Sequence, residues 1–258
     1  MKKKCEQCGK EFEAKRADKR FCSRDCVYKA YNDKRPRKTN KSYIKANILK
    51  SQHIPDEQLE IIYGCLLGDG SLVLQTDNFH RLSLCHSDKQ EDYIEFKRNI
   101  LNSIFMQLQC NEYLKKDGHT QFHCHSVSHK ELTNLYGLLY INKTKRVTRR
   151  FLNLLTPTSL LFWFLDDGSN IKSSGHSAII CTDSFTLSEI RAIKIWFWQK
   201  YQIESKISEA KGSFNDNIYY RIRFTKENTI KLFNVISTSP FFNQIPSNIK
   251  YKFFPYFI

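Results

Sequence analysis

Two stretches of the chain run from apolar residues straight into acid and glycine: "IYGCLLGDGSL" at residues 62–72 and "LFWFLDDGSNI" at residues 161–171. They place Asp69, Gly70 and Ser71 in register with Asp167, Gly168 and Ser169, 98 residues later. A helix C-terminus carries the negative end of the backbone dipole, so a carboxylate there is disfavoured unless a cation compensates it. Taken singly, each stretch is an amphipathic helix closing on an Asp-Gly turn. Two in register imply a duplicated unit whose acids act together.

A second group of chemistry-bearing residues opens the chain. Cys5, Cys8, Cys22 and Cys26 stand as C-x2-C-x13-C-x3-C, and each close pair can put two sulfurs on one tight turn. Together they supply the four-thiolate tetrahedron of a structural Zn2+ site, one ion for the four. Gly9 suits the turn after the first pair, and Phe12 and Phe21 offer the small apolar filling of a module too short to fold without metal. The total of nine cysteines is odd and rules out complete intramolecular pairing, which also favours thiols or metal ligation.

The elements that must position these groups follow from periodicity. Pro55 opens a helix running toward Gly68, and "SLVLQTDNFHRLSLCHS" alternates as a hairpin. Ser87 and Gln90 form a capping-box pattern before "EDYIEFKRNILNSIF"; a second hairpin turns at Lys-Asp-Gly; Ser128 and Glu131 precede another helix. The order then recurs. Thr156 and Pro157 open a helix ending at Asp167, "SNIKSSGHSAIICTDS" is hairpin-like, and Thr186 and Glu189 cap "LSEIRAIKIWFWQKY". Two strands and a last helix, "KENTIKLFNVIS", complete it. Trp163, Trp196 and Trp198 fall in apolar helical stretches and read as core.

Charge is unevenly placed. The chain carries +15 in all; residues 1–50 hold 17 Lys+Arg against 6 Asp+Glu, net +11, leaving 24 against 20, net +4, for the rest. Such a basic N-terminal region fits a polyanion partner, above all nucleic acid. The expected organisation is a four-cysteine finger at 1–32, a basic linker at 33–54 and a larger domain at 55–258, with repeats at about 55–150 and 151–258. No apolar run approaches a bilayer span and no signal peptide precedes the first cysteine, so an intracellular setting is expected. That setting is the cytoplasm of a bacterial or phage-infected host, with an organelle as the alternative.

The paired signatures resemble those of the LAGLIDADG homing endonucleases, and "LLTPTSLLFWFLDDGSNIKSSGHSAIICTDSFTLSEIRAIKIWF" resembles the single-chain, I-SceI-like branch. The resemblance covers residues 55–258. The finger lies outside it and is similar to short treble-clef or ribbon-like fingers of mobile-element and phage DNA-binding proteins. The resemblance implies an α+β fold of tandem αββαββα repeats about a pseudo-twofold axis, whose sheets form a saddle over double-stranded DNA. It implies Asp69 and Asp167 as catalytic acids at the axis, with Gly68 and Asp166 beside them in a site for two or three Mg2+ ions. Gly64 and Gly68 give the first helix a smooth face; Phe162 and Asp166 stand at the corresponding positions of the second helix, so that contact should be asymmetric. Lys145 and Lys252 match the family's active-site lysines, with Lys143 and Lys250 as alternatives. The implied activity is a staggered double-strand break by a monomer at a long, asymmetric site. The alternative is an RNA maturase or a non-cleaving DNA-binding protein of the same fold. Strand alternation nominates Gln75, Arg81, Lys116, Gln121, Lys172, Lys206, Arg221 and Arg223 as DNA-binding side chains.

Overall fold

The computed structural model describes residues 1–14, 16–32, 47–50, 52–105, 111–114, 120–211 and 217–257. Its contacts divide the chain into two units, Met1–Asn47 and Ile48–Ile258. Residues 33–46 of the expected linker, Lys116 with the rest of its turn, and the turn at 212–216 lie outside the described residues.

In the smaller unit, β1 (Lys2–Lys4) pairs antiparallel with β2 (Glu11–Glu13), and α1 spans Arg24–Asn32. Gly9 takes φ 73° after the first cysteine pair, a left-handed conformation that glycine adopts without steric cost. Its N–H donates to Cys5 O at 2.9 Å. Cys5 and Cys26 are buried, and the rings of Phe21 and Tyr31 meet edge to face at 6.0 Å.

The larger unit is built twice. Its first half runs α2 (Asp56–Leu67), β3 (Ser71–Leu74), β4 (His80–Ser87), α3 (Glu91–Ile100), β5 (Asn111–Leu114), β6 (Thr120–His125) and α4 (Lys130–Leu139). A two-strand link of β7 (Tyr140–Ile141) and β8 (Thr144–Lys145), then the short α5 (Arg149–Leu152), lead to the second half. That half runs α6 (Pro157–Asp167), β9 (Gly168–Ile171), β10 (Ser177–Ile180), α7 (Leu187–Tyr201), β11 (Lys206–Lys211), β12 (Ile218–Arg223) and α8 (Lys226–Ile236). The sheets have the same topology, β3-β4-β6-β5 and β9-β10-β12-β11, all antiparallel. This is the α+β tandem repeat that the signatures imply.

Local chemistry explains most of the boundaries. Thr156 caps α6 through a capping box with Ser159, and Thr186 caps α7 through one with Glu189. The other two expected boxes do not form. Ser87 opens a 3-10 turn, Asp88–Gln90, without a side-chain cap. Ser128 instead donates to Asp77 at 2.6 Å, and His129 takes over the cap of α4 by accepting from Glu131 N. Trp163 and Trp196 are core as expected, but Trp198 is 47% exposed, because it sits on the outer side of α7.

The helices α2 and α6 pack along each other at the centre of the unit. Ser159 Oγ donates to Glu60 O across the contact at 2.8 Å. A Cβ on Gly64 would lie 2.3 Å from Ser159 O and 2.9 Å from Phe162 Cβ, and one on Gly68 would lie 2.4 Å from Asp166 Cβ. The side chains of α6 therefore fill the hollows that the two glycines leave on α2, which is the asymmetric contact expected from the sequence.

Candidate functional site

The two signature helices deliver their terminal acids to one place, but by different endings. The helix α6 continues through Asp167. The helix α2 stops at Leu67; the N–H groups of Gly68 and Gly70 still reach Gly64 O (3.2 Å) and Cys65 O (2.7 Å), whereas Asp69 N–H donates to Asp166 Oδ2 at 3.2 Å. Asp69 keeps 42% of its side chain exposed.

Both acids resist ionisation. Burial, then the charge of Asp166, pushes the Asp69 carboxyl up to about 6. Burial, then the charges of Asp166 and Asp69, pushes Asp167 up to about 8. Burial is the larger cause for both and the charge of neighbouring aspartates adds to it, and a cation at the carboxylates would relieve both.

Asp166 behaves in the opposite way. Its side chain is fully buried. Burial works against its charge, but the Lys97 charge and the hydrogen bonds from Lys97 and Tyr93 outweigh it, and the carboxyl is held below its usual range. Its Oδ1 accepts from Lys97 Nζ at 2.5 Å and Tyr93 OH at 2.8 Å, and its Oδ2 accepts from Asp69 N. Both oxygens are engaged, so the structure does not present Asp166 as the metal ligand that the resemblance implies. Asp69, His86 and Asp166 do bring ligand atoms within 4.8 Å of one another. The Lys97 ammonium, however, lies 2.5 Å from Asp166 Oδ1 and 3.0 Å from His86 Nε2 and stands where a cation would sit.

The lysines fall into pairs. Lys145 Nζ donates to Gly68 O (3.3 Å) and Gly70 O (2.9 Å) at the end of α2; Lys252 Nζ donates to Leu165 O (2.6 Å) and Asp166 O (3.2 Å) at the end of α6. Each compensates one helix C-terminus, and each is lowered by burial while the neighbouring aspartates pull it back up. The alternatives, Lys143 and Lys250, are exposed. Gly68 contributes to the site through its carbonyl, shared with Lys145.

On the sheets, residues alternate between the buried helix side and an outer side. Arg81 is on the outer side of β4, its Nε buried with no hydrogen-bond partner, and Gln121 is opposite Ser87 across the β4–β6 pair. Lys206 and Arg223 are exposed cross-strand partners, and Lys172 is exposed between β9 and β10. Two candidates are already occupied. Arg221 is clamped by Asp183 at 2.6 and 2.8 Å, and the Gln75 amide folds back onto Val73 O and Leu74 O.

Sequence reasoning missed His86, Tyr93 and Lys97. A signal existed for Lys97: it follows Tyr93 by four residues and Ile94 by three, in the apolar stripe of α3. A charged residue in that stripe needs a buried partner, which Asp166 provides.

The sequence model of the "LAGLIDADG DNA endonuclease family" matches residues 59–232, more than half of the chain. The chain belongs to this family. Curated relatives include a "Protein RecA" of Mycobacterium gastri, 32% identical over 127 residues, 47% of this chain and 29% of that protein. A "Protein RecA" of Mycolicibacterium flavescens is 29% identical over 126 residues, 47% and 28% of the two chains. The chain thus spans less than a third of the RecA relatives it matches. The "Cytochrome b mRNA maturase bI2" of Debaryomyces hansenii is 23% identical over 173 residues, 63% of this chain and 64% of that one. Among solved structures, "The homing endonuclease I-WcaI bound to its DNA recognition sequence" shares the fold with a TM-score of 0.69, at 17% identity, over 87% of this chain and 96% of that one. Among the described residues of this LAGLIDADG chain, no helix is long and apolar enough to cross a membrane.

A pH dependence follows from the two raised acids. Between pH 6.5 and 8.5 an unfolded Asp167 is already ionised while the folded one is still losing its proton, so the folded state binds more protons and stability falls as pH rises. His86, lowered to about 4 by burial and by Lys97, is neutral in the folded state and opposes this trend only below about pH 6.5. Without added Mg2+ the loss across that window should be on the order of 1 kcal/mol, discounted for solvent screening at the open side of the site. Urea unfolding at the two pH values measures it. Asp167→Asn should abolish the loss, and added Mg2+ should oppose it.

Proposed function

We propose that the chain is a site-specific DNA endonuclease that cuts both strands by metal-dependent phosphodiester hydrolysis, and that it acts as a monomer. The observation that carries this reading is that the two signature acids, one from each repeat, stand at helix ends joined by the Asp69 N–H to Asp166 Oδ2 bond, with both carboxyls pushed up by burial and by the charge of neighbouring aspartates. The donors are hard carboxylate oxygens, which fits Mg2+. When bound, Mg2+ supplies the Lewis acidity that activates water and offsets charge on the scissile phosphate and the departing 3′-oxygen.

The chain's own residues do the rest. Asp69 and Asp167 would hold the ions, one acid for each strand. Lys145 and Lys252 hold the helix ends rigid and place fixed positive charge beneath the phosphates. Arg81, Gln121, Lys172, Lys206 and Arg223 are the described side chains best placed to meet DNA from the outer sides of the sheets, with Lys116 a candidate from sequence alone. The double-stranded DNA site is expected to be long and asymmetric, because the two halves present different side chains. Incubating the protein and Mg2+ with a random-site duplex library, then sequencing the cut ends, tests the reading. Staggered ends at one recurrent sequence are expected; a library left intact contradicts it.

The likeness to a maturase favours a second reading, RNA binding in aid of intron splicing. That activity needs the fold and a basic surface but not the two acids, so Asp167→Asn would spare it.

The finger is assigned to one structural Zn2+. Cys8 and Cys22 sulfurs lie 3.6 Å apart, Cys22 and Cys26 3.5 Å apart, and all four within 4.8 Å. A tetrahedral Zn–S4 site needs about 3.8 Å between sulfurs, so the set fits. Residues 1–50 carry most of the net positive charge, and the finger therefore extends the grip on DNA. Cys22→Ser should weaken DNA affinity about tenfold or more and make the remaining affinity less dependent on salt, because fewer phosphate contacts are made, while residues 55–258 unfold in urea as before. Unchanged affinity would show that the finger serves another partner.

A further inference from the structure

The one-sided cluster under Asp69 has no counterpart under Asp167. Lys97 lies on α3, the helix after the first hairpin; α7, the helix after the corresponding hairpin of the second repeat, buries Glu189, Ile190, Ile193, Trp196 and Phe197 and no lysine. Lys97 and Ile193 are both fully buried. The difference is concerted: Lys97 faces Asp166 on α6, and the position equivalent to Asp166 on α2 is Gly68. The helix α3 therefore supplies a buried lysine that pairs with Asp166 of the facing signature helix, and α7 buries none.

Such a pair is a poor source of stability, because two charges must leave water to form it. Its geometry suggests another use. Asp166 is gripped on Oδ1 by Lys97 and Tyr93, so its other oxygen is fixed in direction, and that oxygen receives Asp69 N–H. The Asp69 amide has no helical carbonyl of its own, unlike those of Gly68 and Gly70 on either side. A second arm runs through His86. With Lys97 donating to Nε2 at 3.0 Å, the ring proton is on Nδ1, which points to Gln90 Oε1 at 3.1 Å and lies 3.6 Å from Asp69 Oδ2.

We propose that Lys97 is a positioning residue: through the Asp166 carboxylate and the His86 ring it sets the backbone and side chain of Asp69, and so governs one half of the cleavage site but not the other. This rests on the nuclease reading for its effect on DNA and stands apart from it for its effect on Asp69. The consequence is unequal dependence of the two strands. Disturbing Lys97 slows the cut that depends on Asp69 and leaves a duplex nicked in the other strand.

The test uses the full chain with Lys97→Met, and with Lys97→Met/Asp166→Ala, which removes both charges so that no unpaired carboxylate stays buried. Two quantities are read. The first is hydrogen exchange of the Asp69 amide by NMR without divalent ion. It should speed up about tenfold, the worth of one hydrogen bond to a charged acceptor. The Cys181 amide, bonded to Asp167 O at 3.0 Å, should be unchanged. The second is strand-resolved nicking, with Mg2+, of a duplex that the wild-type protein cuts. One strand should slow at least about tenfold more than the other, with DNA affinity unchanged. An unaltered Asp69 amide, or equal slowing of both strands, overturns the proposal. If the wild-type protein cuts nothing in the library, the nuclease reading fails, and the exchange measurement alone decides whether Lys97 positions Asp69.

Discussion

Asp167→Asn is expected to lower the rate of DNA cleavage by about a thousandfold or more while leaving DNA affinity near that of the wild-type protein. Asparagine keeps the size of the side chain and one oxygen, so the ending of α6 is retained. It removes the negative charge that would bind Mg2+. It also removes a carboxyl that burial and neighbouring charge push up to about 8, so the variant should be no less stable at pH 8 than the parent. Single-turnover cleavage with Mg2+, beside equilibrium binding to the same duplex, measures both effects. Undiminished cutting would show that Asp167 is not a catalytic acid. Lost cutting with retained help to intron splicing would favour the maturase reading.

The largest effect on stability is expected from Gly64→Ala. The added methyl would meet Ser159 O at 2.3 Å and Phe162 Cβ at 2.9 Å, and the first of these is backbone in the capped first turn of α6. Neither can move aside, because Leu160, Leu161, Phe162 and Trp163 are at most 1% exposed. The helices α2 and α6 must separate, at a cost of about 3 kcal/mol, and a melting temperature lower by roughly 6–12 °C is expected. Separation would also draw Asp69 from Asp167, so residual activity should fall further than the folded fraction does. Gly137→Ala is the control. Gly137 lies within α4 with nothing inside 4 Å of an added Cβ, so that change should raise stability by about 0.5–1 kcal/mol.

Much of this arrangement was legible in the sequence, for local reasons. The capping residues Thr156 and Thr186 announce α6 and α7, and both form the capping boxes expected of them. The register of Asp69 with Asp167 exposes the duplication, and small side chains at Gly64 and Gly68 announce a close contact. What was not legible depends on tertiary partners. Ser128 fails as a cap because Asp77, distant in sequence, takes its hydroxyl, and the histidine beside it can accept instead. Asp166 and Asp167 are adjacent acids of the same type, and only the packing of α3 against α6 separates them. It gives the first a buried lysine and tyrosine and leaves the second facing Asp69. Arg221, chosen by alternation as a free DNA contact, is paired by Asp183 from a loop that alternation cannot see.

The most direct measurement is the anomalous scattering of Mn2+ in crystals of the full chain. Density between the carboxylates of Asp69 and Asp167 is the expected result, with no peak between Asp166 and His86, where Lys97 stands. A cation bound at Asp166 and His86 instead, or none near either signature acid, would contradict the account.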